Sequence, residues 1–292
     1  KGREKEFEEF RIWKRRQRMG TGVEIAGTEN GHVWEEFIPR HKKEFEADPT
    51  MYALVRNPDG SMERKGLQLE PTHPRVIALF VEDIKEAFAK NKWPKDKAVA
   101  FGIGPADGLG FSESAESLQS GAGRKDPITG YPDQTDALIL LGNTILKEIQ
   151  DEYPNVRLGY YSYSVHADYP VRYKPLPQIS QVFAPITYSR YHSLEDSGSK
   201  TIPYYRHVLE QWAHLSQEQG NVLKYRGYNW TLAEGMVPYS QLKILGDNIP
   251  FYYRNGVRAV MIEAQKAWAV NGPHDYLLAK LLWNTELDWK EV

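Results

Sequence analysis

Cysteine is absent from the 292 residues, which excludes disulfides, thiolate nucleophiles and cysteine-held zinc together. Charge of one sign is lacking too: 37 Lys and Arg stand against 39 Asp and Glu, for a net charge of −2. That balance gives no electrostatic case for nucleic acid or an anionic membrane as a partner. No apolar run approaches the roughly 20 residues that a bilayer helix needs, and the mean hydropathy is −0.60, so membrane insertion is not expected. There is no G-x-G-x-x-G or Walker sequence, and a nucleotide-binding doubly wound sheet loses its usual signature. The lack of H-E-x-x-H disfavours a metal, and the lack of a G-x-S-x-G elbow weakens an esterase. The amino end, Lys1 to Phe10, lacks the basic-then-apolar pattern of a signal peptide. It reads instead as an amphipathic helix with Phe7, Phe10 and Trp13 on one stripe, as in a domain cut from a longer parent.

Aromatic residues are plentiful. The chain has 18 Tyr and 8 Trp, and aromatics make up 12% of it. Their flat faces with a polar handle suit stacking on sugars or lining a polar cleft, and equally an aromatic-rich core. Around them, short β-rich runs alternate with longer helical patterns. Strands are predicted at Gly22–Ala26, Ala98–Ile103, Arg157–Ser162, Gln181–Ala184, Val222–Arg226 and Ala259–Glu263. Helical spacing is predicted over Arg75–Lys90, around Leu138–Ile149, over Tyr204–Gln217, near Tyr239–Asn255, and in a closing segment through Tyr276 and Leu282. Between Gly27 and Pro74 the abundance of Gly, Pro, Asn and Asp predicts an elaborated loop with short strands at Tyr52–Val55 and Leu67–Leu69.

This alternation predicts an α/β fold with a parallel sheet, best read as a TIM-like (β/α)8 barrel. About six strands are legible where a closed barrel has eight, so the first βα units are expected to be missing or the barrel open. One catalytic domain is expected over residues 1–292.

Chemistry in such a fold gathers where strands end. Those places hold His32, Asp107, Tyr161, His166, Tyr188, Tyr191, Asn229, Trp230 and Glu263. Singly, each has a plainer explanation. Asp107-Gly108 can be only a turn, a lone His a hydrogen-bonded loop residue, and the Tyr160–Tyr163 run a barrel layer. Their convergence on six strand ends carries the argument. Glu263 ends an otherwise apolar strand, where partial burial would suit it to general acid work. The alternative is a carboxylate paired with a neighbouring Arg, Lys or Tyr. Asp107 is the natural partner, since glycoside hydrolysis uses two carboxyl groups flanking the scissile bond.

The order of these segments resembles the proteins grouped as domain of unknown function 4838, which include glycoside hydrolase family 163. The likeness runs through Leu146–Tyr161, Tyr173–Pro177 and Tyr252–Glu263, with Gly31-His32 and Ala106-Asp107-Gly108 where the family's early motifs stand. It implies a barrel catalytic domain in a larger exported protein, periplasmic, cell-surface or secreted. It further implies an endo-β-N-acetylglucosaminidase-like activity in which the substrate's acetamido group is the nucleophile, one carboxyl group is the acid/base and another polarises the acetamido group. The adjacent acidic pairs of this chain, Glu8-Glu9, Glu35-Glu36, Glu82-Asp83, Asp151-Glu152 and Glu195-Asp196, end no predicted strand, which leaves the substrate open.

The expected function is a glycoside hydrolase on an oligosaccharide or polysaccharide, without cofactor. Glu263 is the expected acid/base, Asp107 the orienting or charge-stabilising group, and His32, Tyr161, His166, Tyr188, Tyr191, Asn229 and Trp230 the substrate-binding residues. The rivals are an exo-acting glycosidase on plant or algal polysaccharide and a non-catalytic glycan-binding barrel. Oligomeric state is not legible.

Overall fold

The computed structural model describes residues 4–6, 8, 9, 12, 26–28, 31–228, 240–263 and 268–292, the side chains of 26–28 and 268–271 aside. Its centre is a parallel sheet of six strands: β1 (Ala26–Thr28), β4 (Val99–Gly102), β5 (Val156–Ser162), β6 (Ile179–Phe183), β7 (Leu223–Gly227) and β8 (Val257–Ile262). They lie side by side in chain order, apart from an antiparallel hairpin, β2 (Tyr52–Arg56) and β3 (Met62–Leu69), that forms a sheet of its own.

The helices sit where apolar spacing demands. After β1 come α1 (Trp34–Arg40) and α2 (Lys42–Ala47), and α3 (Pro74–Asn91) leads into β4. Then follow α4 (Ala115–Ser120), α5 (Thr135–Ile149), α6 (Ile202–Glu218), α7 (Leu242–Arg254) and α8 (Trp268–Trp283). Pro74 opens α3, where a missing N–H costs nothing, and His73 Nδ1 accepts from Arg75 N at 3.2 Å. Val76, Phe80, Ile84 and Phe88 then fall on its buried stripe. Helix α5 is apolar on nearly every side because sheet and neighbouring helices enclose it. Gly142 lets it approach closely: a Cβ there would stand 2.9 Å from Ile179 and 3.0 Å from Ile103.

One feature departs from the sequence reading. The Gly27–Pro74 segment contains two helices, α1 and α2. Trp34, Phe37, Ile38 and Phe45 carry the helical spacing that the surrounding Gly and Pro obscured. The connection from β5 to β6 has no α-helix, only a short 3₁₀ turn at Ser164–His166. Pro170, Pro175 and Pro177 bar a helix there, and α5 supplies the missing hydrogen bonds. The Asp136 carboxylate accepts from the backbone N–H groups of Val171, Arg172 and Tyr173 at 2.9–3.1 Å, and the Asn143 amide accepts from Leu176 N and donates to Lys174 O.

Closure is the point that the sequence reading left open. Six parallel strands are described against the eight of a closed barrel, and among the described residues β1 and β8 form the two edges without pairing to each other. Strands β2 and β3 do not fill the gap, because β3 exposes Met62, Glu63 and Lys65 rather than an apolar face. The fold shown is therefore α/β with a parallel sheet, six strands of it among the described residues. The expected first strand lies outside the described residues except for Ala26, as do Phe7, Phe10 and Trp13 of the expected first helix. No described helix is long and apolar enough to cross a membrane.

Candidate active site

The segment after β4 is strapped from several sides. Trp34 Nε1 donates to Ile103 O at 2.9 Å and Trp34 N to Gly104 O at 3.2 Å, so α1 clamps the strand exit. A Cβ at Gly104 would lie 2.3 Å from the Gly31 carbonyl oxygen, and only glycine allows that approach. Gln68 of β3, fully buried, brackets Ala106 by donating to its O and accepting from its N. Further along, buried Glu70 accepts from Ser112, Ser117 and Thr72 hydroxyls and from Arg64. Burial works against this carboxylate, yet those hydrogen bonds outweigh it and hold its pKa below the usual value. These struts deliver Asp107 to the surface in a turn: its Oδ1 accepts from Gly108 N, and Gly108 has φ +95°.

Beside Asp107 stands Tyr163, whose hydroxyl donates to Asp107 Oδ1 at 3.3 Å. Its phenol is pushed up to about 12, first by burial and then by the charge of Asp107, with Tyr228 and Glu263 adding to the effect. Tyr163 thus feels both candidate carboxylates and remains a hydrogen-bond donor through the neutral range. On the far side, Glu263 follows β8 with its side chain 40% exposed, and its Oε2 accepts from Arg226 Nη2 at 2.8 Å. Arg226, near the end of β7, also donates to the Tyr161 hydroxyl at 3.1 Å and lies over the Tyr161 and Tyr228 rings at 5.0 and 5.6 Å. Burial disfavours its charge, but Glu263 and the two tyrosines outweigh this and raise its pKa. His32 completes the group, with Nδ1 3.0 Å from Pro105 O and its ring 6.0–6.2 Å from Tyr161 and Tyr163.

The sequence-predicted residues divide accordingly. His32, Asp107, Tyr161 and Glu263 come together. His166 lies beneath them, 3% exposed, with Nδ1 buried and unpartnered and its pKa driven down to about 3 by burial and by His32. Tyr188 is buried elsewhere, its hydroxyl 3.0 Å from that of Tyr225 in a layer with Tyr252. Tyr191 is 61% exposed on the loop after β6. Asn229 and Trp230 lie outside the described residues. Tyr163 and Arg226 were missed as site residues. A cation near the end of a strand, and a third tyrosine past the end of β5, are the signals that could have found them. Glu263 meets an arginine, the arrangement weighed as its alternative. Among the described residues no three His, Asp or Glu side chains converge as a metal site would require. Ser164, next to Tyr163, holds φ +51°, a strained setting for a non-glycine residue.

Comparison with known proteins adds a family. The family described as "Domain of unknown function (DUF4838)" matches residues 3–292. A comparison with curated proteins gives no match. Among solved structures the chain is similar to the PgaB (BpsB) glycoside hydrolase domain from Bordetella bronchiseptica, at 15% identity and a TM-score of 0.39, over 80% of this chain and 69% of that one. A likeness at that level carries no argument for mechanism.

Proposed function

We propose, from the premise that the chain belongs to the DUF4838 family, that it is a glycoside hydrolase acting on complex carbohydrate at the Asp107–Tyr163–Glu263 cleft. The observation that carries this reading is the run of contacts that links two carboxylates: Asp107 to Tyr163, Tyr163 to His32, His32 to Tyr161, Tyr161 to Arg226 and Arg226 to Glu263. Glycoside hydrolysis in most families uses two carboxyl groups flanking one bond. Glu263 serves as acid/base through Oε1, which carries no hydrogen bond among the described residues, while Arg226 holds Oε2. Asp107 orients the sugar or stabilises the positive charge of the transition state. Tyr163 donates to the substrate or to Asp107, and His32 and Tyr161 line the wall. The resemblance extends the proposal to endo-cleavage at N-acetylglucosamine with acetamido assistance, in an exported protein.

A second reading draws on the Arg226–Glu263 ion pair. A carboxylate already neutralised by arginine suits a glycan-binding barrel without turnover. Glycan release from a complex N-glycoprotein and a polysaccharide panel, read by mass spectrometry, separates the two. Release of glycan, lost in Glu263→Gln and strongly reduced in Asp107→Asn, supports the hydrolase. Turnover that survives Glu263→Gln sinks its assignment, and binding without any product favours the binding barrel.

A further inference from the structure

We propose that the cavity between β2 and the 109–113 and 131–134 segments is a second subsite, holding a neutral pyranose unit of the carbohydrate chain that the cleft binds. This rests on the carbohydrate reading above and extends it. The cavity has a volume of about 160 Å³, on the scale of a single sugar ring rather than a long ligand.

Its walls match the two surfaces of a sugar. Leu109 and Tyr131 line it and are 48% and 51% exposed, with Phe111 as the third apolar surface. Exposed apolar groups around a concavity suit the C–H face of a pyranose. On the rim, Arg56 Nε donates to Glu113 Oε2 at 3.2 Å, giving both a donor and an acceptor for hydroxyls. The two charges cancel, so the rim favours a neutral unit over a sulfated or uronic one.

The exposed side chains stand on locked backbone, which limits the ordering cost of binding. Asp126 accepts from Thr129 N at 2.6 Å and from Gly130 N at 2.8 Å, and its own N donates to Tyr131 O at 2.8 Å. Gly130 takes φ +75°, and Lys125 bridges to Pro132. Opposite them, Glu113 N donates to Leu54 O at 2.8 Å and Leu54 N to the Ser112 hydroxyl, zipping the loop onto β2.

The position joins this cavity to the cleft. The Phe111 ring lies 5.5 Å from that of His166, and Val165, which lines the cavity, is next to His166. One layer of side chains therefore separates the cavity from the ring that Tyr163 touches from the other side. A chain with one unit in the cleft would pass over the Asp107–Leu109 turn to set another in the cavity. The β2–β3 hairpin would then act as a specificity element that distinguishes oligosaccharides from short sugars.

Methyl NMR of the full chain tests this, with Leu109, Val55 and Val165 methyls as reporters. The probes are β-linked N-acetylglucosamine oligomers of one to five units and the corresponding neutral glucose and galactose series. At least one series should shift these methyls saturably and more tightly as it lengthens. Tyr131→Ala should weaken the pentasaccharide about tenfold and Tyr131→Phe should not, while the disaccharide is unaffected. The subsite is overturned if no probe moves the three methyls, or if Tyr131→Ala binds the pentasaccharide as wild type does. Hydrolysis of the same oligomers separates this result from the previous proposal. Methyl shifts without cleavage of these oligomers or of the N-glycoprotein and polysaccharide panel leave the subsite standing and remove the hydrolase; cleavage with an unchanged pentasaccharide KM in Tyr131→Ala removes only the subsite.

Discussion

Acidification from pH 7 to pH 5 should act on two buried groups, His166 beneath the cleft and Asp133 beside Arg124, in opposite directions. His166 is buried, and its pKa falls from 6.5 to about 3. The folded chain refuses a proton that the unfolded chain accepts, so this contribution to stability is present above 6.5 and is lost as pH falls toward 3. At pH 5 the loss is about 2 kcal/mol. Asp133, 3% exposed and paired with Arg124, moves the other way. Burial outweighs the pairing and lifts it from 3.8 to about 6, so its contribution is present below 3.8 and is lost as pH rises through 6. Between pH 7 and pH 5 it returns about 1 kcal/mol. The wild type should therefore show a shallow pH dependence concealing two steeper ones. His166→Gln and Asp133→Asn separate them, because each variant compared with wild type cancels the rest of the titration. From urea unfolding at both pH values, the stability of His166→Gln relative to wild type should rise by about 2 kcal/mol on acidification, and that of Asp133→Asn should fall by about 1 kcal/mol. If the His166→Gln difference stays constant or falls, the buried neutral histidine is wrong; if the Asp133→Asn difference stays constant or rises, the buried neutral aspartic acid is wrong.

Other expectations follow from single contacts. Asp136→Ala removes the acceptor for three backbone N–H groups of the helix-free connection; a loss of about 3 kcal/mol is expected in urea unfolding, and a smaller one in Asp136→Asn. Gly246→Ala would bring a Cβ to 2.1 Å from the Trp289 ring and should cost about 1–3 kcal/mol. In a Trp289→Ala background the same change should be neutral or stabilising, since alanine favours helix, and a cost that persists there would show that the clash is not its source. Arg226→Met should free Glu263 and the Tyr161 hydroxyl together, changing the pH profile of turnover more than the melting temperature; an unchanged profile would detach Arg226 from the site.

The sequence reading succeeded where periodicity is enforced by burial. Helices α3, α5 and α6 and strands β4 to β8 lie within a few residues of their expected positions, and all but the largely exposed β8 are pressed on by the core and cannot hide their apolar spacing. It was silent where side chains replace backbone partners. Nothing in Asp136 or Asn143 alone announces that they will hold a strand connection with no helix, because the compensation runs between residues more than thirty apart. Helices α1 and α2 were obscured because a few glycines and prolines outweighed Trp34, Phe37 and Phe45.

The site followed the same division. That Asp107, Glu263, Tyr161 and His32 would gather in one region was legible from their places at strand ends. Arg226 was not, because the value of a strand arginine depends on what stands at the end of the neighbouring strand: in the β7–β8 ladder Arg226 pairs with Met261, two residues before Glu263. His166 and Tyr188 look like cleft residues in one dimension, yet one turns under the cleft through the strained Ser164 and the other faces Tyr225. A strand end selects candidates for chemistry, while the register between adjacent strands decides which of them meet. The Arg226–Glu263 contact is therefore the feature on which both the catalytic and the binding readings turn.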